Sequence, residues 1–373
     1  MKKYVILAGA PRSGKSTLAG LLCKKYGYQH ISMDSVLAAI ENVFKETNID
    51  TNNETIDNTK FISSKLGLFI KQMINSGEYA EQDYGVVIDV CQLLPEDFAK
   101  NISTDNCDIY YFGTSNITKE ERLKLLRKFD TKKDYTYYES DDDMLKKCEY
   151  IVNLSNYIKL SCSNYGIRYF DTTYDRQSIF NNFLNNFPYR FKLEDIKTPQ
   201  DILMYMNDNF KYGWLDNNNE QHIGNLKEFR RLYRTSTIEE TLKYKIGTCL
   251  EQTFLMHILL DRLNIKNKMF CTRIYEGENF NNLDEEEHMH AFLLYYLDGK
   301  VYNLEHPNWE KMGIREYNSE EEAIKIINKY YVDMAKGKSR PVTQFFDVPA
   351  NLSFKEFNLY INSFDEYLKK SLC

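Results

Sequence analysis

The sequence lacks long apolar runs, closely paired cysteines and an excess of positive charge, and each lack excludes a class of protein. No segment approaches the roughly 18 apolar residues that a membrane-spanning helix needs, so no membrane association is expected. The formal net charge of −6 argues against extensive nucleic-acid binding through phosphate neutralisation. The eight cysteines form no Cys-x-x-Cys pair, so a structural zinc site is not expected.

The remaining composition is that of a soluble globular protein. Hydrophobic residues make up 43% of the chain and charged residues 27%, which is the usual balance for such proteins. The scattered cysteines predict reduced thiols in a cytoplasmic protein. Residues 1–3 lead directly into an apolar strand, so no signal peptide is expected. A length of 373 residues favours two domains.

In the N-terminal half, apolar segments that predict strands alternate with amphipathic segments that predict helices. The predicted strands cover residues 3–8, 85–89, 107–112 and 167–170, and the predicted helices cover residues 16–25, 119–129 and 142–165. This alternation predicts an α/β domain with a parallel sheet and helices on both faces. A new helix with Thr198 as its N-cap and Pro199 as its first residue begins beyond it. We therefore predict domains at residues 1–187 and 188–373.

A phosphate-binding loop is predicted between the first strand and the first helix. The segment follows the pattern Gly-x-x-x-x-Gly-Lys-Ser, and the residues predicted to bind nucleotide are Gly9, Arg12, Ser13, Gly14, Lys15, Ser16 and Thr17. In such loops the backbone N–H groups converge on the phosphates, the lysine reaches the terminal phosphates, and the serine hydroxyl binds Mg²⁺. The pattern therefore predicts a site for ATP and Mg²⁺.

Four further side chains are candidates for the chemistry at this loop. Asp34 follows a short second strand and is a candidate to orient an acceptor hydroxyl. Asp89 ends an apolar strand and is a candidate to hold Mg²⁺; the alternative is that both carboxylates cap the segments that follow them. Arg127, with Arg122 as a second candidate, is predicted to stabilise charge on a transferred phosphoryl group. The alternative for both arginines is a solvated position on a helix.

These motifs make residues 1–187 similar to the adenylate-kinase-like branch of the P-loop kinases, which acts on nucleosides and other small molecules. The resemblance implies phosphoryl transfer from ATP, with Mg²⁺, to a small-molecule or protein acceptor. It does not identify that acceptor.

In the C-terminal half, a cysteine stands at the start of a predicted helix. Thr248 and Glu251 have the spacing of a capping box, which makes Cys249 the first helical residue. The positive end of the helix favours the thiolate form of a cysteine there, and the backbone N–H groups can receive an oxyanion. The alternative is that Cys249 is a small apolar residue at a helix start.

A predicted hairpin supplies a base and a carboxylate. Residues 290–297 and 300–305 are predicted strands, and the Asp-Gly dipeptide at 298–299 is typical of a two-residue type I′ turn. The register that this turn imposes places His290 and Glu305 on one face as diagonal neighbours, roughly 5–8 Å apart. A nucleophilic cysteine needs such a base, and the base needs a group that orients it.

The order Cys249, His290-Ala291-Phe292 and Glu305-His306-Pro307 resembles the transglutaminase-like superfamily of papain-type enzymes. In that superfamily the strand reads His-Ala-Trp and the acid lies in an Asp-Pro-Thr segment, so Glu305 is a longer orienting group. The resemblance covers about residues 198–320. It implies an α+β domain that hydrolyses, deamidates or transfers a peptide or protein amide.

The two halves together predict a two-domain enzyme with an ATP-binding kinase-like site and a Cys-His-Glu site. The alternative is a nucleotide-switched binding protein whose transglutaminase-like domain is a scaffold without catalysis. Two local alternatives also stay open. Trp214 is a candidate donor to an oxyanion, although packing is favoured for it, and His288 with the glutamates at 285–287 is a candidate metal site.

Overall fold

The protein forms two compact units, Met1–Arg190 and Phe191–Cys373. The structure is a computed structural model that describes residues 2–345 apart from 80–81, 105–106, 133, 225, 227 and 277–286, together with residues 352–353, 355–356, 359–360 and 363. Each unit has its own sheet and its own buried apolar clusters. In this described part, every helix is too short or too polar to cross a lipid bilayer.

The N-terminal unit is built on a five-stranded parallel sheet. Its strands are β1 (Tyr4–Gly9), β2 (Gln29–Ser32), β3 (Val86–Val90), β4 (Cys107–Gly113) and β5 (Tyr169–Asp171). They lie in the order β2-β3-β1-β4-β5, and each neighbouring pair is parallel. The parallel α/β sheet that the alternating sequence pattern predicts is therefore confirmed.

Helices cover both faces of this sheet. They are α1 (Lys15–Tyr26), α2 (Met33–Val43), α3 (Ile56–Asn75), α4 (Pro95–Asn101), α5 (Lys119–Phe129), α6 (Asp141–Tyr165) and α7 (Arg176–Asn186). Val5 and Leu7 of β1 pack with α1 and α7 on one face. Ile6 and Ala8 pack with α3, α4 and α6 on the other. The continuous apolar run of β1 is explained by this burial on both faces.

The C-terminal unit contains a five-stranded antiparallel sheet and a smaller sheet. The strands are β6 (Lys211–Asp216), β7 (Gln221–Ile223), β8 (Tyr233–Arg234), β9 (Ile246–Gly247), β10 (Asn267–Glu276), β11 (Glu287–Leu297), β12 (Lys300–Glu305), β13 (Gly313–Tyr317) and β14 (Ser339–Phe345). The large sheet has the order β13-β12-β11-β10-β14, and in the smaller one β6 pairs with β7, β8 and β9.

Helices pack on both faces of the large sheet, which gives an α+β arrangement. They are α8 (Pro199–Asn209), α9 (Phe229–Leu232), α10 (Ile238–Tyr244), α11 (Cys249–Arg262) and α12 (Glu320–Met334). Leu255 and Leu259 of α11 pack against Ala291 and Leu293 on one face. α12 covers the opposite face. Thr198 caps α8 and Pro199 is its first residue, as predicted.

The hairpin of β11 and β12 has the predicted turn and register. Asp298 and Gly299 both have positive φ angles, 49° and 74°, which a type I′ turn requires. The pairing runs from Leu297 opposite Lys300 to Leu293 opposite Leu304. β12 ends one residue later at Glu305, whereas β11 continues to Glu287. The part of β11 that carries His290 therefore extends beyond the end of β12.

Candidate active sites

The phosphate loop follows the carboxyl end of β1, where ligands of open parallel sheets bind. Gly9 has φ 124°, and a Cβ atom there would lie 2.0 Å from the Phe112 carbonyl oxygen, so only glycine fits. Lys15 is the first residue of α1 and is 3% exposed. Its Nζ donates to the Ala10 carbonyl oxygen at 2.8 Å. The loop thus folds back over the start of α1.

The other predicted nucleotide contacts surround this lysine. Ser16 and Thr17 are exposed in the first turn of α1, where hydroxyls and N–H groups meet an anion readily. The Arg12 guanidinium forms ion pairs with Asp130, at 2.5 Å, and with Asp134. Arg12 therefore connects the phosphate loop to the segment that follows α5.

Carboxylates at the ends of β2 and β3 face Lys15. Burial alone would lower the pKa of Lys15, but Cys91, Asp89 and Asp34 outweigh it and raise that pKa above its ordinary value. Asp34 lies in the first turn of α2, with Oδ2 3.4 Å from the Cys91 thiol. Asp89 Oδ2 is 3.6 Å from His30 Nε2. The structure thus places both predicted carboxylates beside the buried ammonium group.

The residues at this edge fit a Mg²⁺ ion. Asp89 is 2% exposed, and its buried Oδ1 has no hydrogen-bond partner among the described residues. The Ser16 hydroxyl is exposed at the start of the neighbouring helix. Mg²⁺ prefers oxygen ligands and is usually held by one or two carboxylates together with substrate phosphates.

Arg127 joins α5 to the start of α6. Its guanidinium donates to the Thr136 carbonyl oxygen at 2.6 Å, to the Glu139 carbonyl oxygen at 2.7 Å, and to Asp141 at 2.9 Å. These bonds fasten α5 to the start of α6. Arg127 NH1 also lies 3.6 Å from Asp130 Oδ2, and Asp130 pairs with Arg12 of the phosphate loop, so Arg127 is linked to that loop through a shared carboxylate.

Two other arginines do contact the loop. Arg122 is 2% exposed, and its NH2 donates to the Arg12 carbonyl oxygen at 3.0 Å. Burial, together with the nearby Arg176, lowers the pKa of Arg122 to about 10. Arg176 Cδ lies 2.9 Å from the place of a Cβ on Gly14. Arg176 is the first residue of α7. No motif around it predicts a contact with the phosphate loop.

In the C-terminal unit, a capping box fixes the start of α11 at Cys249, as predicted. The Thr248 hydroxyl accepts the Leu250 N–H at 3.2 Å, and the Glu251 carboxylate accepts the Thr248 N–H at 2.9 Å. The Tyr233 hydroxyl donates to the second oxygen of Glu251 at 2.7 Å. This network fixes the backbone on which the thiol stands.

The structure brings Cys249, His290 and Glu305 together. His290 Nε2 lies 2.9 Å from Glu305 Oε2, and the Cys249 thiol, 3.9 Å from the carbonyl oxygen of the neighbouring Met289, is close enough to the imidazole to act on its pKa. Glu305 is 3% exposed, and its Oε1 accepts the Asn308 N–H at 3.0 Å. Burial alone would lower the pKa of His290, but Glu305 and Cys249 raise it to about 10. The arrangement favours an imidazolium held by the Glu305 carboxylate beside the sulfur of Cys249.

Two cavities meet at these three residues. Cys249 opens on a cleft of about 480 Å³, which has an apolar part formed by Leu226, Phe229, Leu250 and Met289. On the other side, His290 and Glu305 line a cavity of about 230 Å³ with the tyrosines of α12, Tyr330 and Tyr331. A substrate carbonyl can therefore reach the thiol from the larger cleft.

Sequence reasoning missed one side chain in this cleft. Tyr212 lines it beside Cys249, and its hydroxyl lies close to the backbone of Cys249. Trp214, the residue considered earlier as an oxyanion donor, is 1% exposed and stacks on His222 with ring centroids 3.9 Å apart. Only the pairing of β6 with β9 reveals the position of Tyr212, and no local sequence signal predicts that pairing.

In the metal alternative for His288, the glutamates at 285 and 286 lie outside the described residues. Asp216, Glu220 and His222 place one ligand atom each within 4.8 Å of one another. Asp216 Oδ1 already accepts the N–H groups of Asn218 at 2.8 Å and Glu220 at 2.9 Å. These bonds give Asp216 a structural role, because its carboxylate stabilises the turn that follows β6.

Comparisons with known proteins yield similarity to solved structures over half of the chain. No family model matches the sequence, and no curated protein is a significant match. An unliganded sugar kinase from Janibacter sp. HTCC2649 is 12% identical, with a TM-score of 0.31, over 50% of this chain and 94% of that one. A shikimate kinase from Bacteroides thetaiotaomicron is 13% identical, with a TM-score of 0.31, over 50% and 98%. A deoxyadenosine kinase from M. mycoides is 15% identical, with a TM-score of 0.28, over 49% and 97%. At these identities and scores, the similarity assigns neither a family nor an activity to this chain.

Proposed function

We propose that the chain is an enzyme with two sites, a thiol-dependent amide-processing site in the C-terminal unit and an ATP-dependent phosphoryl-transfer site in the N-terminal unit. One observation carries the first assignment: Cys249, at the start of α11, has its thiol beside the strand segment of Met289 and His290, and Glu305 holds the His290 imidazole at 2.9 Å. This is the arrangement of nucleophile, base and orienting acid that acyl transfer requires.

The thiolate of Cys249 attacks the carbonyl carbon of an amide, and His290 donates its proton to the departing amine. Glu305 keeps the imidazole in one orientation, and the Asn308 N–H holds Glu305 in turn. Water then attacks the resulting thioester in hydrolysis or deamidation, and an amine attacks it in transfer. The apolar part of the cleft beside Cys249 favours donors with an apolar group near the carbonyl, such as an amide in a peptide or protein.

The second assignment is supported by the position of Lys15 between the phosphate loop and two carboxylates. Lys15, the exposed Ser16 hydroxyl and the first turn of α1 bind the phosphates of ATP. Ser16 and Asp89 would hold Mg²⁺, which supplies charge neutralisation on the phosphates when bound. Asp34 orients the acceptor hydroxyl, and Arg122 and Arg176 bring positive charge to the loop.

Alkylation of thiols tests the cysteine assignment. At neutral pH, iodoacetamide should modify Cys249 faster than Cys23, a half-buried thiol in the other unit whose pKa burial raises. His290→Ala should slow the reaction at Cys249 by removing the cationic partner, and Glu305→Gln should slow it less. Mass spectrometry of tryptic peptides measures each rate. Equal rates at the two cysteines, unaffected by His290→Ala, would instead favour a binding scaffold without catalysis.

Transfer of the γ-phosphate tests the second assignment. The whole chain is incubated with radiolabelled ATP, Mg²⁺ and a panel of small hydroxyl compounds, and labelled products are separated by chromatography. Asp34→Asn should abolish transfer while leaving ATP affinity within about twofold, since Asp34 is assigned to the acceptor. Binding of ATP without transfer to any acceptor, and without hydrolysis, would indicate a nucleotide switch.

A further inference from the structure

The hydroxyl of Tyr212 occupies a position that the proposed acyl chemistry needs. Tyr212 lies on β6 and pairs with Gly247 of β9 in a parallel register, two residues before Cys249. Its side chain lines the cleft on which the thiol opens, and its hydroxyl lies near the start of α11, close enough to the Cys249 backbone for the two to interact. Tyr212 is 40% exposed, so a substrate can reach it.

We infer that Tyr212 is a catalytic residue. Its hydroxyl donates a hydrogen bond to the carbonyl oxygen of the acyl donor as the thiolate of Cys249 attacks. This role rests on the proposed function of the C-terminal unit. When the bond between Sγ and the carbonyl carbon forms, the π electrons of the carbonyl move onto its oxygen. That oxyanion needs a positioned donor until the electrons return, the leaving group departs and His290 gives that group its proton.

The start of α11 strengthens the case for this donor. Cys249, which lines the cleft together with Tyr212, is the first residue of that helix, so the cleft lies at the helix's positive end. An oxyanion that accepts the hydrogen bond of the Tyr212 hydroxyl is stabilised by that positive end as well.

Two further observations support this role. Burial, and then the neighbouring Cys249 and Glu251, raise the pKa of Tyr212 above its ordinary value, so the phenol keeps its proton across the neutral range. Trp214, two residues along the same strand, is buried against His222. Trp214 thus packs in the interior, whereas Tyr212 reaches the cleft.

Comparing acylation with alkylation separates this role from a structural one. Acylation by p-nitrophenyl acetate passes through an oxyanion, whereas alkylation by iodoacetamide does not. Tyr212→Phe should therefore slow acetylation of Cys249 by about 10- to 100-fold, at the low end of the effect of losing one oxyanion donor. The same variant should leave the alkylation rate of Cys249 within about twofold. Stopped-flow release of p-nitrophenolate and mass spectrometry measure the two rates.

Tyr302→Phe is the matched control, since the Tyr302 hydroxyl donates to Glu316 at 3.3 Å on another part of the same unit. It should change neither rate. Unchanged acetylation in Tyr212→Phe would overturn the oxyanion role while leaving the cysteine assignment intact. An equal fall in both rates would show that Tyr212 supports the local structure only. A wild-type Cys249 that resists alkylation would overturn the proposed function, and this role with it.

Discussion

At the scale of single residues, the feature that most constrains the N-terminal site is a buried positive charge. Lys15 is 3% exposed, and an isolated ammonium group would lose its charge there. Cys91, Asp89 and Asp34 prevent this by raising the pKa of Lys15. The charge is therefore available for a phosphate before any ligand arrives.

Replacing Lys15 by alanine should weaken binding of ATP with Mg²⁺ by at least about tenfold, because one charge-assisted contact contributes roughly 1.5–3 kcal/mol. Isothermal titration calorimetry measures the change. Lys24→Ala, which removes an exposed lysine from the same helix, should bind ATP as the wild type does. An affinity that Lys15→Ala leaves unchanged would contradict the phosphate-site assignment.

The raised pKa of His290 predicts how the stability of the C-terminal unit depends on pH. A histidine whose pKa rises to about 10 on folding stabilises the folded state fully below its unfolded value of roughly 6.5. That contribution disappears as the pH rises through about 10. Glu305→Gln removes the carboxylate that raises the pKa.

The melting temperature of the C-terminal unit should therefore differ most between wild type and Glu305→Gln near pH 6.5. The difference should shrink steadily towards pH 10. Calorimetric scans at several pH values provide the test. The transition of the C-terminal unit is the one that the substitution shifts. A difference that stays constant or grows over this range would show that His290 and Glu305 do not form the ion pair described above.

The side chains whose positions follow from the sequence are those placed by local signals. A cap places Cys249 and a two-residue turn places His290 near Glu305, and both devices act within a few positions of the chain. Arg176 and Tyr212 reach their sites through long-range packing. The pairing of Tyr212 with β9 joins segments that lie far apart in the sequence. Such pairing depends on the whole fold, so no local pattern predicts it.

At the scale of elements, local signals also set the bounds of a helix. α5 has its predicted bounds, and its capping box is complete. α3 was not among the predicted helices. Ile62 and Leu66 on its inner face are buried, whereas Phe61 and Leu68 are 39% and 53% exposed.

Two capping boxes of the C-terminal unit allow a controlled test of how the start of α11 serves Cys249. Thr248 caps α11, and Thr237 caps α10 with the same pattern. Replacing either by alanine should cost about 1 kcal/mol of stability. Only Thr248→Ala should also slow alkylation of Cys249, since it disturbs the helix start beneath the thiol.

Urea unfolding, followed by circular dichroism, measures the stability cost, and peptide mass spectrometry measures the alkylation rate. Thr237→Ala controls for the general effect of a lost cap. If both variants slow the alkylation equally, the effect comes from lower stability and not from the geometry of the helix start.

At the scale of the whole molecule, the two units have separate sheets and separate apolar clusters. Residues 1–190 and 191–373, expressed as separate fragments, should therefore each be soluble and unfold cooperatively. Limited proteolysis of the whole chain should cut first within residues 190–197. Far-ultraviolet circular dichroism of the fragments against temperature measures their folding. If neither fragment unfolds cooperatively, the chain has one shared core.

The position of the N-terminal sheet in the sequence has a consequence for biosynthesis. Its last strand, β5, ends at Asp171, so the ribosome has made every strand of this sheet before it begins the C-terminal unit. At about 5–20 residues per second, the remaining half of the chain takes on the order of tens of seconds to synthesise. The N-terminal unit, and with it the ATP site proposed above, can therefore form while Cys249 is still untranslated.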